Sequence, residues 1–321
     1  FKQKTAYEIG VRLVGSEMCI RDSSRALGGR DMESITKSMV ETLRHRGPNH
    51  QGIWVDEGCG LALGHQRLSI IDLSEAGNQP MISRNERYVM SYNGEIYNAS
   101  EIGNELEKAG IKFRGYSDTE ILIEAFNYWG VRDTLKKLIG MFAFALWDQK
   151  KRRLTLCRDR VGIKPLYWAE FGDLILFGSE LKALKKHPGW GGQISKESLN
   201  DFFLYGYVPS PNTIFAKVHK LQPGTIVTIE HHKIPSIERY WSLGAIIQSH
   251  KDKKLTITQT EVEERLEELL NDSVNKRLVS DVPLGILLSG GVDSSLVAAL
   301  AQQNSETVSY THLTLPTILL V

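Results

Sequence analysis

The run Leu288-Ser289-Gly290-Gly291-Val292-Asp293-Ser294-Ser295 is the densest chemical motif in the sequence. Its two glycines let backbone N–H groups approach an anion, and a helix starting there turns its partial positive end toward phosphate. Asp293 could hold Mg²⁺ beside that phosphate. The lysine of the Walker loop is missing, so a tight turn whose Ser and Asp side chains cap a helix is an equal reading of the spacing. Further upstream, NGEIYN at Asn93–Asn98 carries the strongest short-range hairpin signal in the chain, Asn-Gly. Arg67, opening RLSIIDLS, and Asp118, in SDTE, supply a guanidinium and a carboxylate. Taken singly they read as an exposed arginine on a half-buried strand and as part of a helix start.

Periodicity indicates the elements that must position these groups. Ile35, Met39, Val40 and Leu43 share one helical face after Asp31, and Arg44, His45 and Arg46 fill the last turn before Gly47-Pro48. Leu61–Ile71 and Tyr88–Tyr92 are expected strands, with Asn93-Gly94 as a turn after the second. Ser117 and Glu120 have capping-box spacing at the head of a helix running to Gly130. Phe142–Trp147, Leu154–Arg158, Pro165–Trp168 and Leu174–Gly178 continue as β-rich runs. Ser242 to Thr258 is polar and lysine-rich without an apolar period, and reads as a linker. Beyond it, Thr260 with Glu263 has capping-box spacing before a helical face of Val262, Leu266, Leu269, Leu270 and Val274. Leu284–Leu288 then reads as a strand buried on both sides of a parallel sheet, leading through the glycine loop into the helix Leu296–Gln303.

A chain of 321 residues suggests two domains. With 39 basic and 38 acidic residues it has no net field for nucleic acid or an anionic membrane, which points to small-molecule or protein partners. Cys19, Cys59 and Cys157 form neither a CxxC pair nor a zinc cluster, which fits a reducing cytoplasm. No apolar run approaches the roughly 20 residues of a spanning helix.

RHRGP at Arg44–Pro48, RLSIIDLS at Arg67–Ser74, NGEIYN, SDTE at Ser117–Glu120 and RDRVGIKPLYW at Arg158–Trp168 occur in an order that resembles the glutaminase domain of the asparagine synthetases, a class II glutamine amidotransferase. LSGGVDSS resembles the pyrophosphate-binding loop of the ATP pyrophosphatases, which adenylate a carboxylate. The resemblance implies an α/β (α+β) chain: an N-terminal four-layer αββα domain of the N-terminal-nucleophile hydrolase type, then a truncated doubly wound α/β ATP pyrophosphatase domain. It also implies roles. The Asn93 amide and Gly94 N–H would stabilise the tetrahedral oxyanion. Arg67 would pair with the glutamine carboxylate and Asp118 with its α-ammonium, while Leu68, Ser69, Ile70, Ile71 and Glu95 complete the pocket. Leu288, Ser289, Gly290, Gly291, Asp293 and Ser294 would hold ATP and its pyrophosphate, with Asp293 on Mg²⁺. The implied reaction uses glutamine, aspartate and ATP: ammonia from glutamine attacks β-aspartyl-AMP, giving asparagine, AMP and pyrophosphate. A homo-oligomer is left open.

The family's nucleophile is an N-terminal Cys-Gly-Ile cysteine whose own α-amine is the base. Met18-Cys19-Ile20 imitates that start without the glycine. It lies in residues 1–23, which, like residues 308–321, resemble translated sequencing-adapter sequence and are expected to lie outside the fold. The expected organisation is then an amidotransferase domain over 24–241, a linker over 242–259, and the start of the ATP domain over 260–307. The alternatives are a related amide-forming enzyme such as a β-lactam synthetase, or an inert glutamine-binding fragment.

Overall fold

The computed structural model describes residues 16–22, 32–230, 234–251, 256–286 and 288–304. It parts into two compact units near Lys254. The larger begins with β1 (Ser16–Asp22), α1 (Met32–Glu41), β2 (His50–Asp56), β3 (Leu61–Arg67), β4 (Met81–Ile82) and β5 (Tyr88–Ile96). It continues through α2 (Ala99–Lys108), α3 (Asp118–Trp129), α4 (Val131–Lys137), β6 (Gly140–Asp148), β7 (Arg153–Arg158), β8 (Tyr167–Phe171) and β9 (Leu174–Gly178). It ends with α5 (Leu181–Leu184), α6 (Lys196–Tyr205), β10 (Val218–Lys220), β11 (Thr225–Glu230), β12 (Ser236–Arg239) and α7 (Leu243–His250).

Two six-stranded sheets result, ordered β10-β8-β9-β1-β3-β2 and β12-β11-β7-β6-β5-β4. All their pairings are antiparallel. Strand alternation sorts side chains into layers. On β5, Met90 and Tyr92 join Phe142, Phe144 and Leu146 of β6 under α2, α3 and α4. Val89 instead faces a second cluster shared with Leu61 and Leu63 of β3 and Phe177 of β9, between the two sheets. A third cluster packs Met39, Val40 and Leu43 against Leu176, Ala183 and Leu184. These three apolar layers make the four-layer αββα sandwich.

The helical face read around α1 is buried as expected. Other local readings change. Asn93-Gly94 is no hairpin: it lies inside β5, with Asn93 opposite Ala143 and Gly94 opposite Phe142. A Cβ on Gly94 would come within 2.5 Å of Met141 O and 2.7 Å of Phe142 Cβ, so the glycine serves close strand approach, not a positive φ. The strand begun at Leu61 stops at Arg67 rather than Ile71. The supposed linker contains α7, capped by Ser242.

The expectation that residues 1–23 lie outside the fold is corrected for Ser16–Asp22. This segment is an inner strand, with Cys19 opposite Leu63 on one side and Phe177 on the other. Ladder hydrogen bonds are made by backbone groups, so an extended segment can fill the slot between β9 and β3; left empty, it would expose two edges. What was expected of residues 1–15 and 308–321 lies outside the described residues.

The smaller unit shows α8 (Gln259–Asn275) and α9 (Val292–Gln303). The capping box forms two residues earlier than expected, with Thr258 Oγ1 accepting from Glu261 N at 3.3 Å and Glu261 Oε2 from Thr258 N at 2.7 Å. The strand expected over Leu284–Leu288 is absent among the described residues. Leu284 and Leu288 are 39% and 46% exposed. A parallel strand needs neighbours on both edges, and no other strand is described in this unit.

Phe144 is fully buried and its ring centroid lies 4.9 Å from that of Phe126 and 6.0 Å from that of Phe142. Phe144→Ala is expected to lower stability by about 3–5 kcal/mol in urea unfolding. A loss under about 1 kcal/mol would contradict this packing.

Candidate functional site

Arg67 ends β3 and is 6% exposed. A buried guanidinium must place its N–H groups, and the following loop folds back to receive them. Arg67 Nη1 donates to Ser74 O at 2.8 Å and Asn78 Oδ1 at 2.9 Å, and Nη2 donates to Asp72 O. A Cβ on Gly77 would sit 2.1 Å from the Nη2 so held, which reserves that position for glycine. Burial draws Arg67 below the ordinary arginine value, with the Asp72 and Asp118 carboxylates opposing.

The same loop reaches the anion. The Asp72 carboxylate accepts from Ser74 N and from Tyr116 N, each at 3.1 Å, tying the loop to the segment that begins α3. Ser117 Oγ caps that helix by accepting from Glu120 N at 3.2 Å. The Glu120 carboxylate reaches back to Arg114 N and Gly115 N instead of the Ser117 N–H a capping box would use. Asp118 is thereby set in the first turn, where its Oδ2 accepts from Tyr92 OH at 2.8 Å and Ile96 N at 3.0 Å. Burial raises its pKa, and these two bonds counter part of the rise. Gln79 braces the arrangement, accepting from Tyr92 N at 2.7 Å and donating to Thr119 Oγ1 at 3.4 Å.

Arg67, Leu68, Ile70, Ile71, Gly94, Glu95 and Asp118 line one cavity, together with His65, Gly77, Gln79, Tyr92, Ser117 and Thr119. Residues more than fifty positions apart in sequence thus meet at one end of β3 and β5. Ser69 and Asn93 are not in the lining. The Ser69 N–H donates to Asn49 Oδ1 at 3.0 Å, and Asn93, fully buried, donates from Nδ2 to Ser179 Oγ at 3.3 Å. Register separates Cys19 from this end of the sheet. Ser16 pairs with Gln66, next to Arg67, whereas Cys19 pairs with Leu63, roughly 10 Å further along the strand at about 3.3 Å per residue. Cys157 is buried in β7 and Cys59 partly buried, as core residues.

RDRVGIKPLYW proves to be a folded brace. Asp159 Oδ1 accepts from Val161, Gly162 and Ile163 N, and Oδ2 from Lys164 N at 2.9 Å and Phe142 N at 3.2 Å. Since Phe142 is the residue opposite Gly94, the brace backs the strand that carries NGE.

In the smaller unit Gly290 takes φ +81°, a conformation suited to glycine. The Ser294 hydroxyl closes the loop internally, 2.9 Å from Ser289 Oγ and donating to Gly291 O at 3.1 Å. Leu288, Ser289, Gly290, Gly291 and Asp293 are exposed, with Asp293 in the first turn of α9. Among the described residues no group of three His, Cys, Asp or Glu side chains is placed to hold a metal, and no helix is long and apolar enough to cross a membrane.

Residues 23–241 match the glutamine amidotransferase domain family. The chain belongs to that family. Residues 265–317 match a second family, asparagine synthase. The amidotransferase chain is 35% identical over 271 residues to asparagine synthetase [glutamine-hydrolyzing] 3 of Bacillus subtilis and 37% identical over 274 to asparagine synthetase [glutamine-hydrolyzing] 1. These similarities cover 84% and 85% of this chain but only 42% and 41% of the relatives' lengths. Amidase chry2 of Gibberella zeae is 34% identical over 82% of the chain, which covers 38% of that protein. Among solved structures, glutamine phosphoribosylpyrophosphate amidotransferase from B. subtilis superposes with TM-score 0.51 at 17% identity, over 90% of this chain and 64% of that one. An allosteric regulatory enzyme of purine biosynthesis gives 0.50 at 20%, over 71% and 49%. They share the N-terminal-nucleophile type of fold.

His65, Tyr92 and Gln79 were not singled out from sequence. Tyr92 reads as strand core, and nothing in the local pattern marks the other two. Burial, with the Arg67 charge adding to it, pushes His65 down to about 3. Folded His65 is therefore neutral while the unfolded chain takes up its proton below about 6.5, so its contribution to stability is complete above that value and is lost as pH falls toward 3. Its ring resonances are expected not to titrate between about pH 5 and 8, a window bounded by the usual histidine range. A midpoint inside it would show that the ring is not desolvated.

Proposed function

We propose that this amidotransferase unit is the glutaminase portion of a glutamine-dependent asparagine synthetase, followed by the start of its synthetase portion. The observation that carries the reading is the single cavity walled by a buried cation, Arg67, and a buried anion, Asp118. Burial disfavours the charged form of both groups. A zwitterion brings each a counter-charge: its carboxylate suits a guanidinium, and its α-ammonium suits Asp118. Glu95 and the backbone of Leu68, Ile70 and Ile71 complete the grip on an amino acid, with Ser69 fixing that loop through Asn49.

On this reading the Gly94 N–H and the Asn93 amide stabilise the oxyanion formed when a thiol attacks the glutamine carboxamide. Ammonia then leaves for the second site, where the exposed loop Leu288–Asp293 receives ATP at the start of α9. Asp293 fits Mg²⁺ held by one carboxylate with the nucleotide phosphates supplying other ligands, the usual arrangement for that ion. Ser294, whose hydroxyl is used inside the loop, acts there by shaping the backbone. Aspartate is adenylated, and ammonia displaces AMP to give asparagine, with pyrophosphate as co-product. The reading takes a cytoplasmic setting, to which the free thiols of Cys59 and Cys157 are suited. A second reading is an ATP-dependent enzyme forming a different amide, which the same exposed glycine loop at the start of α9 would serve equally.

Glutamine is expected to bind this chain in calorimetry, and Asp118→Asn to weaken it at least tenfold. Asparagine can still accept from Tyr92 and Ile96 while losing the charge that meets an ammonium. Undiminished affinity would refute the assignment of Asp118. The full-length protein is expected to release pyrophosphate from ATP only when aspartate is supplied; dependence on another carboxylate would favour the second reading.

A further inference from the structure

Asn93 lies on β5 of one sheet, and its amide nitrogen reaches the other sheet to donate to Ser179 Oγ at 3.3 Å. An amide nitrogen carries two protons fixed in one plane. Giving one to Ser179 sets the direction of the second. Both residues are buried, at 0% and 1% exposure, so this contact is made away from competing water.

Ser179 is itself held from both sides. It directly follows Gly178, which pairs with Met18 on β1 and with Tyr167 on β8. It directly precedes Glu180, whose carboxylate receives Arg46 Nη1 at 3.1 Å, His45 Nε2 at 3.0 Å and Lys182 Nζ at 3.0 Å. Lys182 and Arg46 hold the Glu180 carboxyl below the usual range despite its partial burial. Arg46 and His45 belong to the RHRGP turn after α1, so that motif is anchored on the residue next to Ser179 rather than at the cavity wall.

We propose that Ser179 is a positioning residue for the Asn93 amide, locked in place by Glu180 and the RHRGP turn whose Arg46 and His45 bond to it. The assignment rests on reading Asn93 as a donor to the oxyanion. A pre-aimed donor needs no reorientation as charge develops, so Ser179 acts on the rate of the chemical step and not on glutamine affinity.

The test uses the full-length protein. Ser179→Ala is expected to lower kcat for glutamine hydrolysis about ten- to a hundredfold, below the full loss of an oxyanion donor. KM and the calorimetric Kd for glutamine stay within about twofold. Ser179→Thr, which keeps the acceptor, is expected to restore kcat to within about threefold of wild type. If Ser179→Ala does not fold, Glu180→Gln provides the same test: kcat falls with KM unchanged. An active wild type whose Ser179→Ala keeps its kcat, or a Ser179→Thr as impaired as the alanine, overturns the assignment of Ser179 alone. A wild type without glutaminase activity overturns the reading of the site and this assignment with it.

Discussion

A guanidinium buried at the end of a strand has to find acceptors, and much of the cavity follows from how Arg67 does so. Its N–H groups are taken by carbonyls of Asp72 and Ser74 and by the Asn78 side chain, which curls residues 72–78 around it. The curl leaves no room for a side chain at Gly77 and turns the Asp72 carboxylate toward Tyr116 N, two residues before Asp118. One desolvated cation therefore shapes a loop, and that loop draws the anion to it. Breaking a single link would leave a buried charge or N–H without its acceptor, which is costly in a low-dielectric setting.

The sandwich supplies the rigidity this arrangement needs. Gly94 is pressed against Phe142 by the β5–β6 ladder, and Asp159 fastens both backbone groups of Phe142, accepting from its N and donating from its own N to its O at 2.7 Å. Side chains on one face of β5 anchor it under the helices, while those on the other meet the second sheet. A site whose two proposed donors are neighbours on one strand, Asn93 and Gly94, can thus be braced from two directions. Precision here comes from strands held on both edges, as functional geometry generally requires.

The smaller unit shows the opposite situation. Helices form from local signals, and α8 and α9 do so, one through a capping box and one after a glycine loop. A buried strand has no local route to stability because its hydrogen bonds lie between segments. Val262, Leu266 and Leu269 of α8 stay more than two-fifths exposed for the same reason: an apolar helical face is stable only against another layer.

Sequence alone determined whatever depends on short-range pattern. The α1 face, the Ser117 cap, the runs that became β6, β7 and β9, and the grouping of motifs that marks an amidotransferase were all legible, because each rests on residues within a few positions. Tertiary structure decided what depends on distant partners. Asn-Gly became strand interior because β6 pairs across it, and Ser16–Asp22 became an inner strand because β3 and β9 leave a slot. Arg67 and Asp118 came to face one cavity through Asp72 and Tyr116. Their chemistry could be read from residue type, but whether a cation and an anion fifty-one positions apart can hold one molecule is settled only by the path of the chain between them.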